Sequence, residues 1–453
     1  MGNWGKRTSL GHQPGSIARV SLAAIISLFV ISAFRSPRFP VVPRTHAANF
    51  DSASVSTTTA EGRLAVFDDV WQTVNDRYYD AKFHGVDWWA QRVQFRTQAA
   101  DARDPDELYS VLRRLLTSLR DAHTRVYAPE QKFDWEHPRF VTIGLSLREI
   151  EGQLTVASVE RGSEAARKGI RAGDVIQTIN GKGALLTLEG KLSQQAGSST
   201  PQAARLFALS SLAEGHPATA VAIEWVGADN KPHQTNLQRH WQQRNPGVHI
   251  TRHGGIAVVT IDAFTQGLEA EFLSSIRALR QVRGLVFDLR NNGGGDAQAM
   301  AEIASVLLPP ATGLGQFTDR HGNVSLKLDT GVTPLLIHFR DNPMDVPIVI
   351  LTSERTSSAA EIFVAALKQT NHATVLGGQT CGCVLAVRTR HALPDGGELE
   401  VSELDYHTEL GVRLEGAGIK PDEVISLTRR DLYAARDRIL QSALTKLRDY
   451  PGH

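Results

Sequence analysis

The strongest constraint on the fold is a handover that recurs in the second half of the chain. An unbroken apolar run stops at a small polar turn, and an apolar helical pattern follows. "GLVFDLRNNGGG" leads into "DAQAMAEIASVLL", and "VPIVILTSERTSSAAEIFVAALKQ" repeats the sequence of strand, turn and helix. "GGIAVVTIDAF", the helical "EAEFLSSIRALRQV" and the strand-like "ATVLGGQT" complete the set. Short apolar runs bounded by turns read as strands buried on both faces. Alternation with helices predicts βαβ units around a largely parallel sheet. Ligands of such sheets sit beyond the carboxyl ends of the strands. The polar switch points Asn291 to Gly295 and Thr352 to Ser358 are therefore expected near one another.

The first half follows other periods. From Glu61 to about Ala128 the pattern is helical: "RLAVFDDVWQTVNDRYYD" places Val66, Val70, Val74 and Tyr78 four residues apart. "DPDELYSVLRRLLTSLRDAHT" starts on an Asp-Pro signal. A small N-terminal helical bundle over 61–138 is expected. From about Arg139 the period becomes two, in "FVTIGLSLREI" and "QLTVASV". "GSEAARKGIRAGDVIQTINGK" adds a short helix, a glycine turn, a strand and an Asn-Gly turn, and "ATAVAIEWV" with "HQTNLQR" forms a strand pair. Together these stretches resemble a PDZ domain, placed at 139–246. The resemblance implies a groove in which a peptide adds to an edge strand, with its carboxylate on backbone N–H groups. The loop at Thr142 to Gly144 would receive the carboxylate. Ile143, Gly144, Leu145 and Leu147 are the expected peptide-binding positions. Residues 184–216 depart from the pattern and read as an insertion. The α/β core spans 247–430, and a C-terminal helix closes the chain at 431–453.

Lys6, Arg7 and Arg19 precede "VSLAAIISLFVISAF", 15 residues without a charge. A spanning helix usually needs about 20 apolar residues. A basic start and a short apolar core read as a secretory signal or an uncleaved signal-anchor. "RTHAANF" is a poor cleavage site, and residues 35–60 have a linker's composition, so 1–60 is read as leader and linker. The expectation is export to the cell envelope, periplasmic or membrane-anchored, with the folded part outside the cytoplasm. A net charge of +1 argues against nucleic acid as the main partner. The two cysteines, Cys381 and Cys383, stand one residue apart. That spacing reads as poor geometry for a mutual disulfide and as too little for a zinc site. Small buried hydrophobes, or a redox-sensing thiol at Cys383, are the readings left.

Ser358 begins the helix "SAAEIFVAALK" and has a structural job there: with Glu361 it makes a capping box. The same position suits a nucleophile, because free N–H groups at a helix start favour negative charge. The N–H of Ala359 and one from the glycine loop, Gly293 or Gly294, could hold an oxyanion. A serine needs a base, and His123 in "LRDAHTRV" is the candidate; Glu415 in "RLEGAGIKPD" is the candidate orienting acid.

These stretches jointly resemble the S41 serine peptidases, the group of C-terminal processing (tail-specific) proteases and tricorn-like peptidases. "DAHTRV", the PDZ-like run, "GGIAVVTIDAF", "GLVFDLRNNGGG", the Ser358 segment, "ATVLGGQT" and "EGAGIKPDEVI" occur in family order. The resemblance implies an α/β multidomain chain with a ClpP/crotonase-like sandwich as catalytic core. It implies Ser358 as nucleophile and Ala359 with the glycine loop as oxyanion hole. It also exposes a departure. Processing proteases of the family pair serine with a lysine in a T-x-G-K-G segment, and here "QTCGCV" puts Cys383 at that place. A neutral thiol does not replace a deprotonated lysine. The tricorn-like branch resembles a Ser–His–Glu arrangement, which Ser358, His123 and Glu415 match. Glu415 would act on the histidine side, through a hydroxyl such as Ser357. The implied activity is cleavage of unfolded or C-terminal polypeptide segments, without cofactor or metal. The alternative is an inactive scaffold of the same fold that binds peptides through its PDZ-like groove. Oligomeric state is not readable.

Overall fold

The computed structural model describes residues 55–131, 139–194, 198–243, 245–279, 282–331, 346–370 and 373–450. The leader and linker expected over 1–60 lie almost wholly outside them. Among the described residues no helix is long and apolar enough to cross a membrane.

The N-terminal region is helical because its caps and apolar stripes agree. Thr59 accepts the Gly62 N–H at 3.1 Å and starts the helix Ala60–Arg77, which buries Val66, Phe67, Val70 and Val74. Asp104 accepts the Glu107 N–H at 2.8 Å, and Pro105 opens the helix Pro105–Thr117. Its stripe, Leu108, Leu112 and Leu115, is wholly buried against the first helix and against Leu399 and Val401 from far down the chain.

The second region is a twisted antiparallel sheet. Its strands run, in spatial order, Leu145–Ile150, Gln153–Val159, Val175–Ile179, Ala220–Val226 and Pro232–Gln238. Leu145–Ile150 is an edge strand. Residues 184–216 are not an appendage to this sheet. They form the helices Ala184–Gln194 and Pro201–Ser211, and Ala184, Leu188, Ala208, Leu209 and Leu212 belong to the same buried core as Leu147, Val156 and Ile176. The strand periods of the flanking sequence hide this, since a helix packed on a sheet contributes only every third or fourth residue to the core.

The third region carries the βαβ units. Its sheet runs Val248–His253, Ile256–Ile261, Gly284–Asp288, Ile348–Thr352, Ala373–Gly377 and Glu423–Val424; the first pair is antiparallel and the rest are parallel. Alternate strand residues face opposite layers. Val259, Phe287 and Ile350 pack on the helices Leu268–Leu279, Ala297–Leu307 and Ala359–Gln369. Val258, Val286 and Val349 pack on Ile439, Ala443 and Leu447 of the C-terminal helix Arg438–Arg448. A second, antiparallel sheet contributes Leu314, Phe317, Leu404 and Tyr406 to the same core as the first helix layer, which completes a sandwich. Phe363 is fully buried at its centre, and burying such a side chain stabilises by roughly 1.5–3 kcal/mol.

Candidate active site

Parallel pairing of Gly284–Asp288 with Ile348–Thr352 puts both polar turns at the same sheet end. Side chains then lace them together. Ser353 Oγ donates to the Arg290 carbonyl at 2.5 Å and Thr356 Oγ1 to the Leu289 carbonyl at 2.7 Å. The Ser357 N–H donates to the Asn292 carbonyl at 3.1 Å. Asn292, fully buried, donates from Nδ2 to the Ile261 carbonyl at 3.0 Å. This holds a loop that no packing could hold, because its glycines have no side chains.

Ser358 is the residue before the helix Ala359–Gln369, and its backbone is at φ 55°, ψ −126°. That region is sparsely populated by non-glycine residues and persists only where surroundings over-determine it. Gly294, at φ +94°, lies directly against it: a Cβ there would come 2.6 Å from Ser358 Cβ and 2.9 Å from the Ala359 nitrogen. Glycine is required for that approach. The Gly294 N–H, however, is committed to Asn292 Oδ1 at 2.8 Å. Gly294 is therefore a spacer in this structure, and Gly293, exposed, is the other member of the expected donor pair.

Glu361, fully buried, does more than reciprocate a cap. Its carboxylate accepts from the N–H groups of Ser358 (3.2 Å), Gly382 (2.8 Å) and Cys383 (2.9 Å) and from Thr380 Oγ1 (2.5 Å). Burial pushes its carboxyl up to about 7, against the pull of those donors. The Ser358 N–H also reaches the Cys383 carbonyl at 2.9 Å. The Ser358 turn and the cysteine turn are thus one hydrogen-bonded body. Cys381 and Cys383 form a disulfide, with Cα atoms 5.3 Å apart. This corrects the reading of that spacing as unsuited to a bond, and it leaves neither residue as a free thiol. Gly382, at φ +70°, folds the backbone back so that the cysteines on either side face each other.

His123 follows the helix Pro105–Thr117, in a loop that enters the strand Arg125–Tyr127. Its neighbour Ala122 packs in a small buried cluster with Ala203, Cys381 and Cys383. That packing sets the histidine loop against the cysteine turn. His123 Nδ1 is buried without a hydrogen-bond partner among the described residues. Loss of hydration pulls the imidazole down to about 4; Asp121 opposes the shift and Arg125 adds to it. The ring is neutral at pH 7, as a base must be.

Glu415 is tied to the chain just beyond the cysteine turn. It accepts the N–H groups of Val384 at 2.7 Å and Leu385 at 3.3 Å. Burial and the Asp121 charge push it up to about 7, while Ser199, Val384 and Arg413 lower it. Among the described residues no bond joins Glu415 to His123, and its hydroxyl neighbour is Ser199, not Ser357. Sequence reasoning passed over Ser199, although Thr200-Pro201 beside it is a helix-start signal.

The expected peptide-binding positions divide. Ile143 and Leu147 are core residues, 1% and 7% exposed, packed in the sheet's own core. The Gly144 N–H is taken by Thr142 Oγ1 at 2.9 Å, and Leu145 is half-buried on the same core. The outward residues of this edge strand reach the turn before Ser358 instead. Arg148 pairs with Glu354 at 3.4 Å, and Arg355 donates to Ser146 Oγ at 3.5 Å.

Known proteins share this organisation. Residues 255–425 match peptidase family S41, residues 60–117 the tricorn protease C1 domain, and residues 140–185 the PDZ domain. A carboxyl-terminal-processing protease of Synechocystis sp. is 26% identical over 370 residues, 78% of this chain and 79% of that protein. A probable CtpA-like serine protease of Staphylococcus aureus is 27% identical over 330 residues, 69% of this chain and 58% of that one. Among solved structures, the photosystem II D1 C-terminal processing protease superposes with a TM-score of 0.54 at 24% identity, over 80% of this chain and 93% of the other. Mature CPAF superposes with a TM-score of 0.66 at 14% identity, over 87% and 99%. Residues 255–425 are thus a peptidase family S41 region, preceded by tricorn C1 and PDZ domains, in a chain similar to carboxyl-terminal-processing proteases.

Proposed function

We propose that the chain is a serine peptidase that works by a Ser–His–Glu relay rather than a Ser–Lys pair. The observation that carries this is Ser358 at φ 55° on a helix start, pressed against Gly294, with the Ala359 N–H beside it. Ser358 Oγ attacks the peptide carbonyl carbon, and neutral His123 takes the hydroxyl proton. The Ala359 and Gly293 N–H groups hold the oxyanion. The C–N bond breaks as His123 returns the proton to the leaving amine, and water releases the acyl group by the reverse transfers. Glu415 acts on the histidine loop indirectly, not by a direct bond to His123. The lysine place is filled by a disulfide sulfur, so no amine base is available there.

The substrates we infer are unfolded or C-terminal polypeptide segments. The place of Leu145–Ile150 at the sheet edge supports pairing with an extended chain. The Arg148–Glu354 and Arg355–Ser146 contacts connect that edge to the turn before Ser358, so a bound chain would bear on the nucleophile. The apolar N-terminal stretch supports export, with the catalytic part in the cell envelope outside the cytoplasm.

The missing lysine supports the second reading, an inactive peptide-binding scaffold. Cleavage of casein by the full chain beside its Ser358→Ala variant separates the two. Loss of a related nucleophile lowers kcat by a factor on the order of a million. Cleavage that vanishes in the variant supports the peptidase; cleavage equal in both would sink it. No cleavage by either would favour the scaffold.

A further inference from the structure

We infer that Ser199, which lies between the helices Ala184–Gln194 and Pro201–Ser211, is a positioning residue of the catalytic relay, joining the His123 loop to Glu415. The inference rests on the Ser–His–Glu reading. Ser199 Oγ accepts the N–H of Ala122, the residue before His123, at 3.0 Å. Its hydroxyl proton is then free to turn to Glu415, with which it interacts. One small side chain thereby meets both partners that otherwise share no bond.

The backbone around Ser199 is fixed to the same place. Thr200 Oγ1 donates to the Cys381 carbonyl at 2.6 Å and accepts the Ala203 N–H at 3.1 Å, capping the helix Pro201–Ser211. Thr200 is 5% exposed and Ala203 fully buried, the latter packed on Ala122, Cys381 and Cys383. A Cβ on Gly382 would come 2.8 Å from Thr200 Cγ2. The Ser199 hydroxyl is therefore held from its own chain side as well as from its partners. A loop with only a surface role would not be seated among buried groups of two other regions.

The chemistry follows from the charges around Glu415. Asp121 disfavours its ionised form and Arg413 favours it; Tyr78 and Tyr79 lie within reach of its charge. The Ser199 hydroxyl is a donor on the favouring side. Removing it should raise the carboxyl further and move the acid limb of the pH–rate profile upward. It should also loosen the His123 loop, and a small misplacement of a base can lower the rate by about a hundredfold.

The test uses the full chain and casein hydrolysis from pH 5 to 9, with melting curves for every variant. Ser199→Ala should lower kcat by about ten- to a hundredfold, leave KM within about twofold, and shift the acid limb upward. Ser199→Thr, which keeps the hydroxyl, should restore the wild-type limb. If Ser199→Ala melts early, Ser199→Cys carries the test, its weaker donor giving a limb between the two. In a Glu415→Gln background, Ser199→Ala should cause no further limb shift. A wild-type profile for Ser199→Ala beside an impaired Glu415→Gln overturns the role of Ser199 alone. A fully active Glu415→Gln overturns the relay, and the role of Ser199 with it.

Discussion

Glu361 has four donors around one buried carboxylate, and its energetics can be checked directly. Truncation to alanine leaves those donors unpaired in a dry site, at roughly 1–3 kcal/mol for each that finds no water. Glu361→Ala should therefore lower stability by at least about 3 kcal/mol in denaturant titration and abolish cleavage. The pH dependence has a definite sign. Glu361 and Glu415 titrate near 7 instead of 4.5, so the folded state binds their protons more tightly than the unfolded chain. Their contribution is complete at low pH and is lost as pH rises from about 4.5 to about 7. His123, lowered to about 4, acts oppositely between about 4 and 6.5. Glu361→Gln should consequently show a smaller fall in Tm between pH 6 and pH 8 than the parent. The sequence made Glu361 readable as a capping residue, because its partner is three positions away. Its bonds to Thr380, Gly382 and Cys383, about twenty residues on, follow from the meeting of two strand ends, and no local spacing encodes that. Ser199 was hidden for the same reason.

At the scale of elements, strands and helices followed the apolar runs of the sequence where the run was buried throughout, as in Ile348–Thr352 and most of Ala359–Gln369. The helices Ala184–Gln194 and Pro201–Ser211 were missed because they interrupt a run of alternating strands and share their core. The cysteine turn was misjudged because separation along the chain says nothing about a glycine at φ +70° between the two residues. That turn is also held without its disulfide. The Cys381 N–H donates to the Thr356 carbonyl at 2.9 Å, the Gly416 N–H to the Gly382 carbonyl at 2.9 Å, and Glu361 and Thr200 supply the rest. Cys383→Ala should accordingly keep most of the activity and lose about 2 kcal/mol or less, the range for closing a very short loop. Near-complete inactivation, measured as kcat on casein, would mean that the sulfur itself takes part. The Arg148–Glu354 pair is only partly screened from water, so a double-mutant cycle should give a coupling of about 1 kcal/mol or less in stability.

Across the whole molecule, the proposed chemistry belongs to no single region. His123 comes from the helical region, Ser199 from the segment before the helix Pro201–Ser211, and Ser358, Glu361 and Glu415 from the core. Residues 247–453 produced alone should therefore fail to react with a fluorophosphonate that labels Ser358 in the full chain; equal labelling would show that the core is self-sufficient. The backbone at Ser358 has one more consequence. Its conformation, φ 55° and ψ −126°, suits glycine and burdens any residue with a Cβ by about 1–3 kcal/mol. Ser358→Ala removes the hydroxyl and keeps the burden, whereas Ser358→Gly removes both. The glycine variant should hydrolyse nothing and yet melt several degrees above the parent. A lineage released from selection for cleavage would then find, at this one codon, that the mutation ending its chemistry also lengthens the life of the fold.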